Sequence, residues 1–306
     1  MNPVKSPKSR SRGKASDGVK ITIAGSAGFC FGVKRALAIA LKAAASDRKV
    51  YMLGDIVHNE VVVEKMKAAG IKRIKAPLGS REMRTLLIRA HGVQQDTVTR
   101  ARRAGYKIID ATCPMVKEIH AIAKRLEHDH RTVIIIGDKE HDEVRGIVGQ
   151  LKTRPVIISS RSDISGKVLK RLRRAGIVVQ STQEETRVLE IVGALRKFIP
   201  DLVFRNTICT PTKTKQKEAR ALPINNDVVI VVGSRSSANT KRLYQISRSI
   251  NKMTHWVNFP DEIRAEWFKG AKSVGITAGA STPESSIRAV AKGVRDIAKP
   301  AAEHAQ

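Results

Sequence analysis

Three cysteines are spread along the chain in a way that could hold a metal centre. Cys30, Cys113 and Cys209 are separated by 83 and 96 residues, and 97 residues follow the last of them. The odd number argues against a closed set of disulfides and fits a reducing compartment. Three thiolates without a fourth suit a metal site that keeps one position open, in an iron–sulfur cluster or at a catalytic zinc ion. The residues alone leave both metals open.

A fixed offset connects each cysteine to further polar residues. A glycine stands 24 residues after each cysteine, and each glycine ends an apolar run, KVYMLG, TVIIIG or VVIVVG. Polar residues follow at offsets of 28 and 30, and others end the third apolar run of each unit. These residues are His58 and Glu60, His141 and Glu143, Ser237 and Asn239, then His91, the run Gln180, Ser181 and Thr182, and Ser281. The repeated offset indicates three equivalent modules.

The types of these polar residues suit an anionic ligand and an acid. Histidine gains a proton readily beside an anion, and serine and asparagine donate hydrogen bonds, so the set fits a diphosphate. The members of that set are His58, His91, His141, Ser237, Asn239 and Ser281. Glu143 is the best-placed general acid, whereas we interpret Glu60 as structural. The chain has no GxxxxGK[ST] motif, so nucleoside-triphosphate hydrolysis has no support.

The elements that must position these residues follow from the hydrophobic pattern. Short β-branched runs alternate with helical patterns, as in VKITIAG followed by VKRALAIALKAA. This alternation predicts an α/β fold with small parallel sheets. Parallel sheets bind ligands beyond the carboxyl ends of their strands, so we expect the cysteines and the polar residues to face one central space.

The charge balance is strongly basic. The chain has 57 Lys and Arg against 28 Asp and Glu, a net charge of +29. Such a field attracts nucleic acid, anionic membranes or phosphorylated metabolites, or serves only solubility. Aromatic residues make up only 4% of the chain and no nucleic-acid-binding motif occurs, so nucleic-acid binding stays open but unsupported. No secretory signal or membrane-spanning stretch is present, which predicts a soluble, cytoplasmic protein.

A series of motifs between about residues 20 and 290 resembles the 4-hydroxy-3-methylbut-2-enyl diphosphate reductase family. In chain order the motifs are GFCFGVKRA, IVHNE, RAHGV, DATCP, EHDEVRGIVGQ, QSTQ, TIC, VVGSRSSANTKRL and VGITAGAS. Each motif is weak alone, and their order and spacing together make the resemblance specific.

The resemblance implies a trefoil of three similar α/β domains around a central 4Fe-4S cluster. The predicted domains are 31–113, 114–208, and 18–30 together with 209–290, with a disordered basic tail at 1–17 and a C-terminal tail at 291–306. The cluster ligands would be Cys30, Cys113 and Cys209. The substrate would contact His58, His91, His141, Gln180, Thr182, Ser237, Ala238, Asn239 and Ser281.

The resemblance also implies the reaction. Two electrons and two protons would remove the substrate hydroxyl as water and give isopentenyl and dimethylallyl diphosphate, with reduced ferredoxin or flavodoxin as electron donor. Glu143 would supply protons through the hydroxyl of Ser181, where the family usually has threonine. Ala238 replaces a frequent serine and Lys215 a frequent arginine. Two other hypotheses are a paralogue that binds nucleic acid and a zinc hydrolase with three thiolate ligands.

Overall fold

The protein folds around three four-stranded sheets. The computed structural model describes residues 19–47, 49–77, 84–164 and 171–298, and every strand pair in these ranges is parallel. The first sheet contains β2 (Val50–Leu53), β3 (Lys72–Ile74), β4 (Arg84–Ile88) and β5 (Tyr106–Asp110). The second contains β6 (Thr132–Ile136), β7 (Val156–Ile158), β8 (Arg174–Val179) and β9 (Asp201–Phe204). The third contains β1 (Lys20–Ile23), β10 (Val228–Val232), β11 (Thr254–Val257) and β12 (Ser273–Ala278).

The three sheets share one topology. Their strand orders are β3-β2-β4-β5, β7-β6-β8-β9 and, read in the same sense, β11-β10-β12-β1. β1, from the start of the chain, therefore occupies the fourth place in the third sheet, whose other strands come from the C-terminal part of the chain. The predicted class, three α/β units with small parallel sheets, is confirmed. The strands fall within the predicted domain segments, and the boundaries between the three segments stay predictions.

Helices connect the strands and cover the sheets. They are α1 (Phe31–Ser46), α2 (Glu60–Ala68), α3 (Gln95–Arg103), α4 (Pro114–His128), α5 (Asp142–Val148), α6 (Glu185–Arg196), α7 (Thr210–Asn225), α8 (Ala238–Ile250) and α9 (Glu284–Ile297). Short 3-10 turns lie at Arg161–Asp163, Pro260–Glu262 and Ala265–Phe268. In the described part of the chain, no helix combines the length and the apolar character needed to cross a bilayer.

Each sheet has its own apolar core. All five residues of β10 are buried, and β6 is buried from its second residue onward. Such unbroken apolar strands are typical of parallel sheets with both faces covered. In α1 the buried residues Val33, Ala36, Ala40 and Ala43 recur at helical spacing and pack on the first sheet. Each sheet thus has an apolar cluster on each of its two faces, which leaves the strand ends free to form a site.

The predicted C-terminal tail is wrong in its first part. The last helix, α9, continues to Ile297, and Val290, Ala291 and Val294 are buried against the third sheet. Together with Ile287 they form one apolar face of the helix. The predicted boundary at 291 falls inside this face. The predicted tail 1–17 lies outside the described residues, as does 299–306.

Polar contacts join the three units to one another close to the strand ends. A charged or hydroxyl group from one unit binds a carboxylate of the next in each case. The pairs are Arg89 Nη1 with Asp142 Oδ2 at 2.6 Å, Arg242 Nη2 with Asp138 Oδ1 at 2.7 Å, and Ser234 Oγ with Glu60 Oε1 at 2.6 Å. Glu60 therefore has the structural role that the sequence suggested.

Truncation of a core strand residue tests this packing. Ile134 is fully buried in β6, so Ile134→Ala should lower the free energy of unfolding by about 2–5 kcal/mol through lost contacts and a cavity. Ile224 near the end of α7 is 73% exposed, and Ile224→Ala should change it by less than about 0.5 kcal/mol. Urea unfolding followed by circular dichroism measures both. Equal losses in the two variants would contradict this core.

Candidate active site

Each cysteine lies in a connection between a strand and the helix that follows it. Cys30, Cys113 and Cys209 are the residues immediately before α1, α4 and α7, and each follows the strand in the fourth place of its sheet. Helix N-termini present free N–H groups and a partial positive charge, which favour a thiolate. The predicted strand-to-helix positions of the cysteines are confirmed.

The three sulfur atoms converge on one cavity. All three cysteines line it. The position that a Cβ would take on Gly32 lies 2.5 Å from Cys113 Sγ and 3.9 Å from Cys30 Sγ, so the separation of these two sulfurs cannot exceed the sum of those distances. Only glycine at position 32 leaves the space beside the two sulfurs free.

The three cysteines offer one set of thiolate ligands to either of the two metals that the sequence left open. A zinc ion binds thiolates at about 2.3 Å in a tetrahedron, and an iron–sulfur cluster is also held by cysteine thiolates. Among the described residues, His58, His91 and His141 form a group whose donor atoms all lie within 4.8 Å of one another. The arrangement of the three cysteines fits either metal centre.

The cysteine end of the cavity disfavours uncompensated negative charge. Burial raises the pKa of Cys113 and of Cys209, and negative charge at Cys30 and Glu143 acts in the same direction. A cationic metal centre would reverse this balance, because its ligands must lose their protons to bind. The donor set thus fits a metal group held by thiolates.

Three histidines form a second cluster in the same cavity. The ring centroids of His58 and His91 are 4.7 Å apart, and His141 lies 5.4 Å from each. Burial lowers the pKa of His58, that of His91 well below its usual value, and that of His141 to about 4. The rings are therefore neutral at pH 7 in the free protein.

A hydrogen bond assigns the tautomer of His141. As the N-cap of α5, its Nδ1 accepts from the backbone N–H of Glu143 at 3.1 Å. The ring proton must then sit on Nε2, which makes that nitrogen a donor rather than a metal ligand. This histidine suits an anion better than a cation.

Buried polar atoms without partners also point to a ligand. Among the described residues, neither side-chain amide atom of Asn239 has a hydrogen-bond partner, nor does His91 Nδ1. Each such atom costs about 1–3 kcal/mol, which a polar ligand would recover. Ser281 Oγ lies 3.1 Å from the carbonyl oxygen of His58 and 3.5 Å from Ser237 Oγ, which brings the two serines to the same wall.

Glu143 and Ser181 form a buried pair beside both clusters. The carboxylate accepts from the Ser181 backbone N–H at 2.6 Å and from its hydroxyl at 2.8 Å. Burial raises the pKa of Glu143, and the two hydrogen bonds from Ser181 oppose this only in part. The carboxyl group therefore keeps its proton to higher pH than a free glutamate and can act as an acid.

The structure brings together nearly all of the predicted site residues. The predicted residues that line the cavity are Cys30, His58, His91, Cys113, His141, Glu143, Ser181, Thr182, Cys209, Ser237, Ala238, Asn239 and Ser281. Gln180 does not line it. Its side chain is fully buried, accepts from Asp138 N at 2.8 Å and donates to Thr182 Oγ1 at 3.1 Å, so it fixes the loop before His141.

Sequence reasoning missed an ion pair behind the histidines. Arg89 Nη1 binds Asp142 Oδ2 at 2.6 Å, and the same carboxylate oxygen lies 3.7 Å from His58 Nε2. The available signal was their place in the chain, since Arg89 lies two residues before His91 and Asp142 directly follows His141. The apolar wall, which includes Val57, Ala90 and Val116, was missed because apolar residues carry no chemical signature.

A family model described as LytB protein matches residues 21–295. The chain belongs to the LytB family. Among curated relatives, the 4-hydroxy-3-methylbut-2-enyl diphosphate reductase of Aquifex aeolicus is 39% identical over 286 residues, covering 91% of this chain and 97% of its own. That of Geobacter metallireducens is 38% identical over 280 residues, covering 91% and 98%. The resemblance inferred from the motifs is confirmed.

Solved structures of reductases share the fold of this LytB chain. A structure of (E)-4-hydroxy-3-methyl-but-2-enyl diphosphate reductase is 38% identical, covers 91% of this chain and 99% of its own, and has a TM-score of 0.66. The E-1-hydroxy-2-methyl-but-2-enyl-4-diphosphate reductase from Plasmodium falciparum is 26% identical, covers 90% and 87%, and has a TM-score of 0.82. The predicted trefoil class agrees with both.

Inorganic pyrophosphate tests the anion end without any metal. If Asn239 donates to a bound diphosphate, Asn239→Ala should weaken binding by about 10- to 150-fold, the worth of one hydrogen bond to a charged group. The matched control is Asn225→Ala, on the exposed end of α7, which should bind as the unmodified protein does. Isothermal titration calorimetry measures both. Unchanged affinity in the Asn239 variant would exclude this residue from the anion site.

Proposed function

We propose that this LytB-family protein is a 4-hydroxy-3-methylbut-2-enyl diphosphate reductase. It would remove the substrate hydroxyl reductively and yield isopentenyl and dimethylallyl diphosphate at a 4Fe-4S cluster. The observation that carries the proposal is one cavity lined by three cysteines, by a cluster of hydrogen-bond donors and by a buried acid. Acid, anchor and metal ligands must meet in one space for such a reaction.

The proposed cluster ligands are Cys30, Cys113 and Cys209. These cysteines are half-buried, line one cavity and directly precede the helices α1, α4 and α7. Since most clusters of this type have four cysteine ligands, three leave one iron free for substrate. When bound, the cluster supplies the electrons and a Lewis-acidic iron for the substrate oxygen.

The donor end would hold the diphosphate. His141 presents Nε2–H to the cavity, and Asn239 has an unpaired amide. A bound polyanion favours the charged form of neighbouring imidazoles, so His58 and His91 would gain protons as the ligand enters. Because this group does not react, its binding energy serves to position the carbon that does.

Glu143 would deliver a proton through Ser181. With its pKa raised by burial, the carboxyl can donate to Ser181 Oγ, 2.8 Å away, and the serine hydroxyl can donate onward into the cavity. The overall change takes up two electrons and two protons, breaks the C–O bond and releases water, so atoms and charge balance. The apolar wall around Val57, Ala90 and Val116 keeps other water away from the reacting carbon.

The remaining hypotheses fare differently. A zinc hydrolase with three thiolate ligands has less support, because the curated relatives reported above are named 4-hydroxy-3-methylbut-2-enyl diphosphate reductases. Nucleic-acid binding has only the net charge in its favour. Reduced ferredoxin or flavodoxin as the electron donor, and a cytoplasmic location, stay predictions.

Anaerobic preparation tests the proposal directly. The protein should take up about four irons per chain and convert the hydroxylated diphosphate when given a reduced ferredoxin, flavodoxin or chemical donor. Cys113→Ser should lose iron and turnover yet retain its circular dichroism spectrum. A native protein that binds no iron after anaerobic reconstitution would refute the proposal.

The role of Glu143 predicts a pH dependence. Burial raises the pKa of Glu143, so its carboxyl group keeps a proton to higher pH than a free glutamate does. The proton is lost as the pH rises through this raised pKa. The acid form carries the reaction, so kcat should fall with rising pH. Glu143→Gln should lower kcat by about 100- to 10,000-fold and abolish this fall. Glu140→Gln, whose side chain is 77% exposed in the native protein, is the control and should match native kcat. A Glu143→Gln enzyme that kept the native kcat and profile would assign the acid elsewhere.

A further inference from the structure

Lys215 is a cation buried behind the cysteine loops. It lies on α7, six residues after Cys209, and is only 1% exposed. Its Nζ donates to three backbone carbonyls: those of Gly28 at 2.9 Å, Ala278 at 3.4 Å, and Ser26. A lysine this deep in a protein is rare unless its charge is compensated.

The contacts of Lys215 match the charged form of its side chain. An ammonium group has three N–H donors and no acceptor, and three carbonyl oxygens surround it. A neutral amine would aim its lone pair at one of these oxygens. Burial lowers the pKa of Lys215 to about 8, while negative charge at Cys30, Glu218 and Cys209 opposes the decrease.

Lys215 joins the segments that carry two of the cysteines. Ser26 and Gly28 belong to the loop between β1 and Cys30, and α7 begins directly after Cys209. One turn beyond Lys215, Glu218 accepts from the Ser26 N–H at 3.1 Å and from its hydroxyl at 2.5 Å. The cation and the carboxylate thus hold the same loop against the same helix.

We propose that Lys215 is a positioning residue that keeps a fixed positive charge beside Cys30 and Cys209 and thereby raises the reduction potential of the cluster. This inference rests on the proposed function, because it requires a cluster at the three cysteines. Reduction adds negative charge at that place, and a buried cation stabilises the reduced form more than the oxidised one. Glu218 offsets part of this effect because its own charge is negative.

The potential of the cluster, followed by redox titration with electron paramagnetic resonance, tests the proposal. Lys215→Met removes the charge and should shift the potential to more negative values, whereas Lys215→Arg should keep it near the native value. Glu218→Gln removes the opposing charge and should shift the potential in the positive direction. Lys217→Met, on an exposed position of the same helix, is the control and should change nothing.

The outcomes separate this inference from the proposed function. A native protein without iron refutes the function itself. Native and Lys215→Met proteins with equal iron content and equal potentials overturn the inference alone. If Lys215→Met fails to retain a cluster, the Glu218→Gln variant decides: a positive shift supports the inference, and no shift or a negative one overturns it. General disturbance of the loop would not move the two variants in opposite directions.

Discussion

The convergence of three half-buried thiol groups on one cavity is the constraint on which the site depends. Burial raises the pKa of Cys113 and Cys209, and each nearby negative charge raises it further. The fold supplies positive charge from two sources. Each cysteine directly precedes a helix N-terminus, and the ammonium of Lys215 binds the loop that leads to Cys30. A metal group supplies the rest when it binds, so folding and cofactor binding are coupled at these residues.

The threefold repetition of one topology produces this arrangement. In each unit a cysteine follows the strand in the fourth place of the sheet. The helix that follows the strand in the second place begins next to His58, His141 or Ser237. The carboxyl ends of parallel strands lie at the same edge of a sheet. Three units of the same topology therefore bring three sulfurs and three polar groups to one place. The equivalent positions differ between units, since the capping residue is His141 in the second unit and Ser237 in the third. Glu60, Glu143 and Asn239 share one offset, but only Glu143 is a carboxylic acid that lines the cavity, which makes the cavity chemically asymmetric.

The sequence was sufficient where local chemistry decides the structure. The fixed offsets placed Gly54, Gly137 and Gly233 at strand ends, and the glycine at 233 adopts φ 142° where a Cβ would lie 2.5 Å from Thr282 Oγ1. The sequence does not predict tertiary hydrogen bonds. Gln180 stays a predicted substrate contact, and the sequence did not show that its side-chain oxygen accepts a hydrogen bond from Asp138 N.

Two further differences have the same physical origin. The tail boundary at 291 ignored the packing of Ala291 and Val294 on a sheet whose strands come from both ends of the chain. The sequence shows that Lys215 replaces a frequent arginine. It does not show which groups surround Lys215, because its hydrogen-bond partners lie up to 189 residues away in the chain. The spacing of residues along the sequence does not determine which distant residues a side chain contacts.

X-ray absorption at the iron edge, on protein reconstituted anaerobically with iron and sulfide, tests the central claim most directly. The account predicts iron coordinated mainly by sulfur, with a metal–metal shell that reveals several irons in one group. Its loss in the Cys209→Ser variant would tie that group to the cysteines. A spectrum of single metal ions bound by nitrogen from the histidines, with no metal–metal shell, would contradict it.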